Sequence, residues 1–287
     1  MESFNPNDPG NLNNTIFGLP YRVEDAHLVF IPVPWDVTVS YKDGTAGAPE
    51  AIFKASFQID LLDPFKEKAW ETSMAMDKIN ESIEEKNTLL KSYSQCIISY
   101  LAEGKSMASS KDMMKSLDVV NKGCEEMNKW LFELSSNYIK QKKIIGIIGG
   151  EHTSALGFIE ALSKHYDDFG ILQIDAHADL RESYEGFTFS HASAMFNALK
   201  LQQITKLVQL GIRDYCEEEM QLINKSGNRI KTFFDRDIKH ALYEGKSWKI
   251  LCEQVIDELP DKVYISFDID GLDPKLCPNT GTPVPGG

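Results

Sequence analysis

"GILQIDAHADLRE", residues 170–182, begins as a strand meant for a core and then loads three ionisable side chains into five positions. Ile171, Leu172 and Ile174 make both faces of the extended chain apolar, the composition of a strand covered on each side. Asp175, His177 and Asp179 follow at once. Burying such groups is costly unless hydrogen bonds or opposite charges compensate them. The stretch therefore sets two questions: which sheet the strand belongs to, and what the carboxylates and imidazole hold.

Similar runs flank it. "HLVFIPVP" (27–34), "KIIGIIGG" (143–150), "FGILQIDA" (169–176), "KLVQLGI" (206–212), "RIKTFF" (229–234) and "KVYISFDID" (262–270) read as strands. Helices are expected near 153–165, 191–200, 216–226 and 236–257, and from about Pro49, whose place in a first helical turn is favoured. Strands too apolar to alternate, separated by helices, predict βαβ units and a parallel sheet. The expected fold is a three-layer α/β/α domain with a mainly parallel sheet, one domain over residues 1–287. No proline occurs between Pro64 and Pro260, and the front of that interval, about 66–143, reads as a helical insertion. Within it Leu117, Val120, Cys124, Met127, Leu131, Leu134 and Tyr138 recur at helical spacing, a stripe expected to pack on the domain's own sheet, with a subunit seam as the alternative.

The whole chain bounds the partners. Its 287 residues carry a net charge of −13, with 30 basic against 43 acidic side chains and no long basic run. That argues against nucleic acid and anionic membranes as partners and is compatible with a cationic substrate. The polar start resembles no signal peptide, and no apolar run approaches the about 18 residues of a membrane span. Five scattered cysteines without a CxxC read as reduced thiols of a cytoplasmic protein.

In a parallel sheet, ligands bind at the carboxyl ends of the strands. "IIGIIGGEH" brings His152 to that edge, "ILQIDAHAD" brings Asp175, His177 and Asp179, and "VYISFDIDGLDP" brings Asp268 and Asp270. Each piece alone is weak. Together, four carboxylates in one crevice would repel, and divalent cations remove that cost. Six ligand-type groups exceed the needs of one tetrahedral zinc and suit two adjacent ions, bridged by a carboxylate from each of two strands. Oxygen-rich, thiol-free ligation points to manganese, with nickel, cobalt and iron open. The reaction class is metal-assisted hydrolysis.

"GGEH", "DAHAD" and "SFDIDGLDP…TGTPVPGG" resemble, in order, the three signatures of the ureohydrolases, the family of arginase and agmatinase, over Gly149 to Gly287. "WDVTVSYKDGTAGAPEAI" (35–52) resembles the family's N-terminal loop and helix. The resemblance implies two Mn2+ ions, nickel being possible. One would be held by His152, Asp175, Asp179 and Asp268, the other by Asp175, His177, Asp268 and Asp270. It also implies that His191, in "FSHASAMF", passes a proton to the leaving amine. His27, His165 and His240 match nothing in the family, and Asp273, ahead of Pro274, reads as a turn residue. A homo-oligomer is usual for such enzymes.

Three departures qualify the resemblance. Glu151 stands where the family carries aspartate, and the 66–143 segment is longer than its counterpart in most relatives. The chain stops at "GTPVPGG", where relatives continue through a helix and strand that supply a carboxylate for the substrate, so the expected sheet lacks its last β/α unit. Arginases hold the amino-acid end of arginine with a Ser-x-Asn arrangement, which the loop "LRESYEGFTFS" (180–190) lacks. A small cationic guanidino substrate without an α-carboxylate is therefore expected, agmatine first, with Glu182 or Glu185 able to meet its ammonium. Arginine, guanidinobutyrate, formiminoglutamate and guanidine are the alternatives, and a metal-binding pseudoenzyme is the non-catalytic one. Zinc deacetylases share the fold and an Asp-x-His strand end but use one metal, which the paired "DID" and His152 argue against.

Overall fold

The computed structural model describes residues 4–287. They form two compact units, one ending at Ala161 and the other Leu162–Gly287, each built on its own parallel sheet.

In the first unit, β1 (Leu28–Val33) lies between β2 (Met74–Met76) and β3 (Ile144–Gly149), all parallel. Its Val29, Ile31 and Val33 are fully buried. Proline inside a central strand would ordinarily break a ladder. Here Leu28 and Phe30 make the bonds to the β2 side, and β2 ends at Met76 opposite Phe30. Pro32, two residues on, therefore faces a side where no ladder bond is needed.

β2 is a correction to the sequence reading, which placed residues 66–80 among helices. Three residues without a period carry no strand signal; the pairing with β1 alone creates the strand. The rest of the segment is helical. Helix α1 (Ala48–Ser56) has Pro49 in its first turn, and α2 (Glu81–Ala102) and α3 (Lys111–Lys140) are two long helices packed on each other. Asn80 caps α2 by accepting the Ile83 N–H, and Ser110 caps α3 by accepting that of Met113. The α3 stripe packs inward: Val120, Cys124, Met127, Leu131 and Tyr138 are buried, Leu117 and Leu134 half-buried. It meets α2, β3 and the start of α4 (Leu156–His165), where a Cβ on Gly157 would lie 2.2 Å from the Asn128 carbonyl oxygen. These intramolecular partners replace the subunit-seam alternative.

The second unit orders its strands β6-β5-β4-β7, again all parallel: β4 (Phe169–Ile174), β5 (Ile204–Ile212), β6 (Ile230–Phe234) and β7 (Val263–Phe267). Helices α5 (Ala194–Ala198), α6 (Glu217–Lys225), α7 (Asp235–Tyr243) and α8 (Trp248–Asp257) connect them. The single helix expected over 236–257 is two. Gly245, at φ 92°, ends α7, with the Lys246 N–H bonded to the Ala241 carbonyl, and Ser247 caps α8. Among the described residues no helix is long and apolar enough to cross a membrane.

Candidate metal centre

Ile174 pairs with Phe267 in register, so the residues after them, Asp175 and Asp268, leave β4 and β7 at the same level. The two strand ends are then laced together. The Asp268 N–H donates to the Ile174 carbonyl at 2.8 Å, and the Ala176 N–H donates to Asp270 Oδ1 at 2.9 Å. Asp268 caps its own turn, accepting the Asp270 N–H at 3.0 Å. Gly271 permits this approach: a Cβ there would lie 3.1 Å from the Asp175 nitrogen.

Asp175 is fully buried. Its Oδ1 accepts the His177 N–H at 2.7 Å, a local turn that D-x-H spacing allows, and its Oδ2 accepts from Gln173 Nε2 at 2.8 Å. His177 points Nδ1 at Asp270 Oδ2, 2.8 Å away. One ligand atom each from Asp175, His177 and Asp270 lies within 4.8 Å of the others, and Asp175 and Asp179 also offer carboxylate oxygens within 4.8 Å of each other. Asp175 is thus common to both groupings. Asp179 adopts φ 54°, and its carbonyl accepts the Met195 and Phe196 N–H groups at the start of α5. Aspartate is among the few non-glycine residues that take this left-handed conformation readily.

The donor set is hard oxygen plus imidazole, which suits a divalent cation. Burial alone would disfavour the His177 imidazolium. The hydrogen bonds and charges of Asp175 and Asp270 outweigh that and push it up to about 11.

In the first unit, β3 delivers Gly149, Gly150 and Glu151, and half-buried His152 opens the turn His152–Ala155. Glu151 is buried; burial pushes its carboxyl up to about 7 against the opposing hydrogen bonds of Thr38 and Thr153. Half-buried His191 follows Ser190, whose hydroxyl caps the short turn His191–Ser193. The His191 ring stands edge-on to Tyr184, centroids 5.7 Å apart, and the Arg181 guanidinium lies 5.1 Å over that tyrosine. In the same loop Glu182 is exposed, whereas Glu185 buries Oε2 without a hydrogen-bond partner among the described residues, and burial raises its carboxyl above the usual range.

Two sets of residues escaped the sequence reading. Gln173 and Gln209, both fully buried in strands, continue a polar ladder from Thr232: Thr232 Oγ1 donates to Gln209 Oε1, Gln209 Nε2 to Gln173 Oε1 (2.7 Å each), and Gln173 to Asp175. Their signal was a lone amide inside each apolar run. Arg213, just past β5, donates to the carbonyls of Asp270 (2.5 Å), Gly271 (3.2 Å) and Thr282 (3.2 Å), clamping the turn that carries Asp270. No local pattern marked it.

The model of the arginase family matches residues 26–287. The chain belongs to the arginase family. The N(1)-aminopropylagmatine ureohydrolase of Synechocystis sp. is 29% identical over 264 residues, spanning 92% of this chain and 73% of that relative. The agmatinase of Halalkalibacterium halodurans is 29% identical over 265 residues, 92% of this chain and 75% of its own. Among solved structures, the agmatine ureohydrolase of Thermoplasma volcanium superposes with a TM-score of 0.66 at 24% identity, covering 92% of this chain and 74% of that one. This arginase-family chain is therefore an agmatinase-like hydrolase of the class that acts on guanidino C–N bonds, with the parallel sheets and flanking helices of its arginase and agmatinase neighbours.

Proposed function

We propose that the chain is a binuclear-metal ureohydrolase that cleaves agmatine to putrescine and urea. The observation that carries this reading is the cluster of Asp175, His177 and Asp270, with Asp179 in reach of Asp175, in an arginase-family chain. His152, Asp175, Asp179 and Asp268 would hold one ion and Asp175, His177, Asp268 and Asp270 the other. Manganese is the proposed metal and nickel its rival. Two such ions would supply the Lewis acidity that makes water nucleophilic near neutral pH.

The protein's own groups do the rest. Gln173 holds Asp175, and Arg213 holds the Asp270 turn, so that the ligands are placed before substrate arrives. His191 donates a proton to the leaving amine nitrogen as the guanidino C–N bond breaks and water's oxygen becomes the carbonyl of urea. Glu185, with its buried unpaired oxygen, is a better partner for the distal ammonium of agmatine than exposed Glu182. The acidic surface favours a cationic substrate. N(1)-aminopropylagmatine, named in the Synechocystis relative, extends the same amine end and is the second substrate to try. A homo-oligomer is the proposed assembly.

Urea release from agmatine, N(1)-aminopropylagmatine, arginine, guanidinobutyrate, formiminoglutamate and guanidine, after loading with manganese or nickel, tests the reading. Turnover is expected for the two agmatine compounds. Glu185→Gln should raise KM for them and leave guanidine hydrolysis unaffected. Two bound metals and no urea from any compound would establish a pseudoenzyme instead.

A further inference from the structure

Helix α2 lies between β2 and β3 in the chain, and the ligand reading gives it no task. Its buried face is partly polar. Beside Ile83, Leu90 and Ile97 it buries Asn87 and Ser94, and Lys91 stands next to them with only 17% of its side chain exposed. All three reach the segment after β1. Lys91 Nζ donates to Asp36 Oδ2 at 2.8 Å, and Asn87 both accepts the Asp36 N–H at 2.7 Å and donates to its Oδ1 at 3.1 Å. The Ser94 hydroxyl donates to the Val37 carbonyl. Asp36 is fully buried, so its carboxylate tolerates that position only while these donors are in place.

The same segment grips the turn that carries His152. Thr38 donates through N–H (2.9 Å) and hydroxyl (2.8 Å) to Glu151 Oε2, and the other Glu151 oxygen accepts from Thr153 Oγ1 at 2.9 Å. The Glu151 carboxylate therefore binds the residue that follows His152 in the chain. The Glu151 N–H donates to the Trp35 carbonyl at 2.8 Å, and a Cβ on Gly150 would lie 2.0 Å from that same oxygen. Residues 35–38 thus lie between α2 and the turn and bond to both.

We propose that α2 is a positioning element for His152: Lys91, Asn87 and Ser94 hold residues 36–38, these hold Glu151, and Glu151 fixes the turn on either side of the histidine. The metal consequence rests on the two-ion reading; the clamp itself does not. Groups that orient a ligand typically change metal affinity by about 10–100-fold when removed. The ion that includes His152 should depend on α2, and the ion of Asp175, His177 and Asp270 should not.

The test pairs two readouts on the full chain. Hydrogen exchange followed by mass spectrometry is run without metal on wild type, Lys91→Met, Lys91→Arg and the milder Thr38→Val. Peptides covering 149–155 are expected to exchange about tenfold faster in Lys91→Met and Thr38→Val, with peptides of the second unit unchanged and Lys91→Arg close to wild type. Manganese titration should then show one site loosened by about 10–100-fold in the same two variants and the other unmoved. Unchanged exchange at 149–155 in Thr38→Val overturns the clamp, as does equal loosening of both ions. A wild type that binds fewer than two ions while the exchange result holds would sink the two-ion reading and leave the clamp standing.

Discussion

At the scale of single residues, the candidate centre is arranged by the second contact of each proposed ligand. Asp175, common to two groupings, is held by Gln173 Nε2 on one oxygen and by the His177 N–H on the other. Asp270 is turned towards His177 because Arg213 captures the carbonyls of residues 270 and 271. A lysine would present its donors from a single nitrogen, whereas the guanidinium's fixed fork reaches carbonyls spread over residues 270, 271 and 282. Arg213→Lys is therefore expected to weaken metal binding by about 10–100-fold, measured by competition with a chelating dye; full affinity would remove the role given to the fork. His191 is tested differently. His191→Ala should slow urea release by about 10²–10⁴-fold with both metals retained, and loss of metal would mean that it is a ligand and no proton donor.

At the scale of elements, the pH response of the first unit follows from α2. Burial pushes the Asp36 carboxyl up, but hydrogen bonds from Lys91, the Gly44 N–H and Asn87 outweigh it and hold it below its ordinary 3.8. A carboxyl lowered in the folded state stabilises the fold above its unfolded value. That contribution disappears as pH falls through the lower folded value, so this pair keeps its effect until the medium is more acidic than 3.8. Lys91→Met leaves a buried carboxylate without its cation and should cost about 3 kcal/mol at neutral pH. The onset of its acid unfolding should also move to higher pH than in the wild type. Thermal melts across pH 3–7 read both effects, and superimposable acid limbs would show that the ion pair is not what stabilises α2 on residues 36–44.

At the scale of the whole molecule, the proposed ligands come from strand ends far apart in sequence, so metal binding should be linked to folding. An ion that binds only the native state at about 100 times its dissociation constant adds about 2.7 kcal/mol. Manganese should raise the unfolding temperature, and a chelator should return it to the metal-free value. No shift at saturating metal would mean that the binding groups are equally available in the unfolded chain. Net charge contributes in the same sense, since cations relieve the self-repulsion of a chain at −13.

Six of the described strands, their parallel arrangement and the run of ligand-type residues were legible in the residues themselves. Apolar runs of strand length admit few other structures, and buried carboxylates at strand ends violate the pattern around them in a way that needs a cause. The inward stripe of α3 is equally local, fixed by spacing along one chain. The strand Met74–Met76, the break of 236–257 at Gly245, the Gln173–Gln209–Thr232 ladder and the clamps by Arg213 and Lys91 were not legible. Each depends on a partner remote in sequence or on a backbone turn that many sequences allow. Composition and period report which groups must be buried; only the tertiary structure decides which donor meets which acceptor, because hydrogen bonds are directional and hydrophobic burial is not.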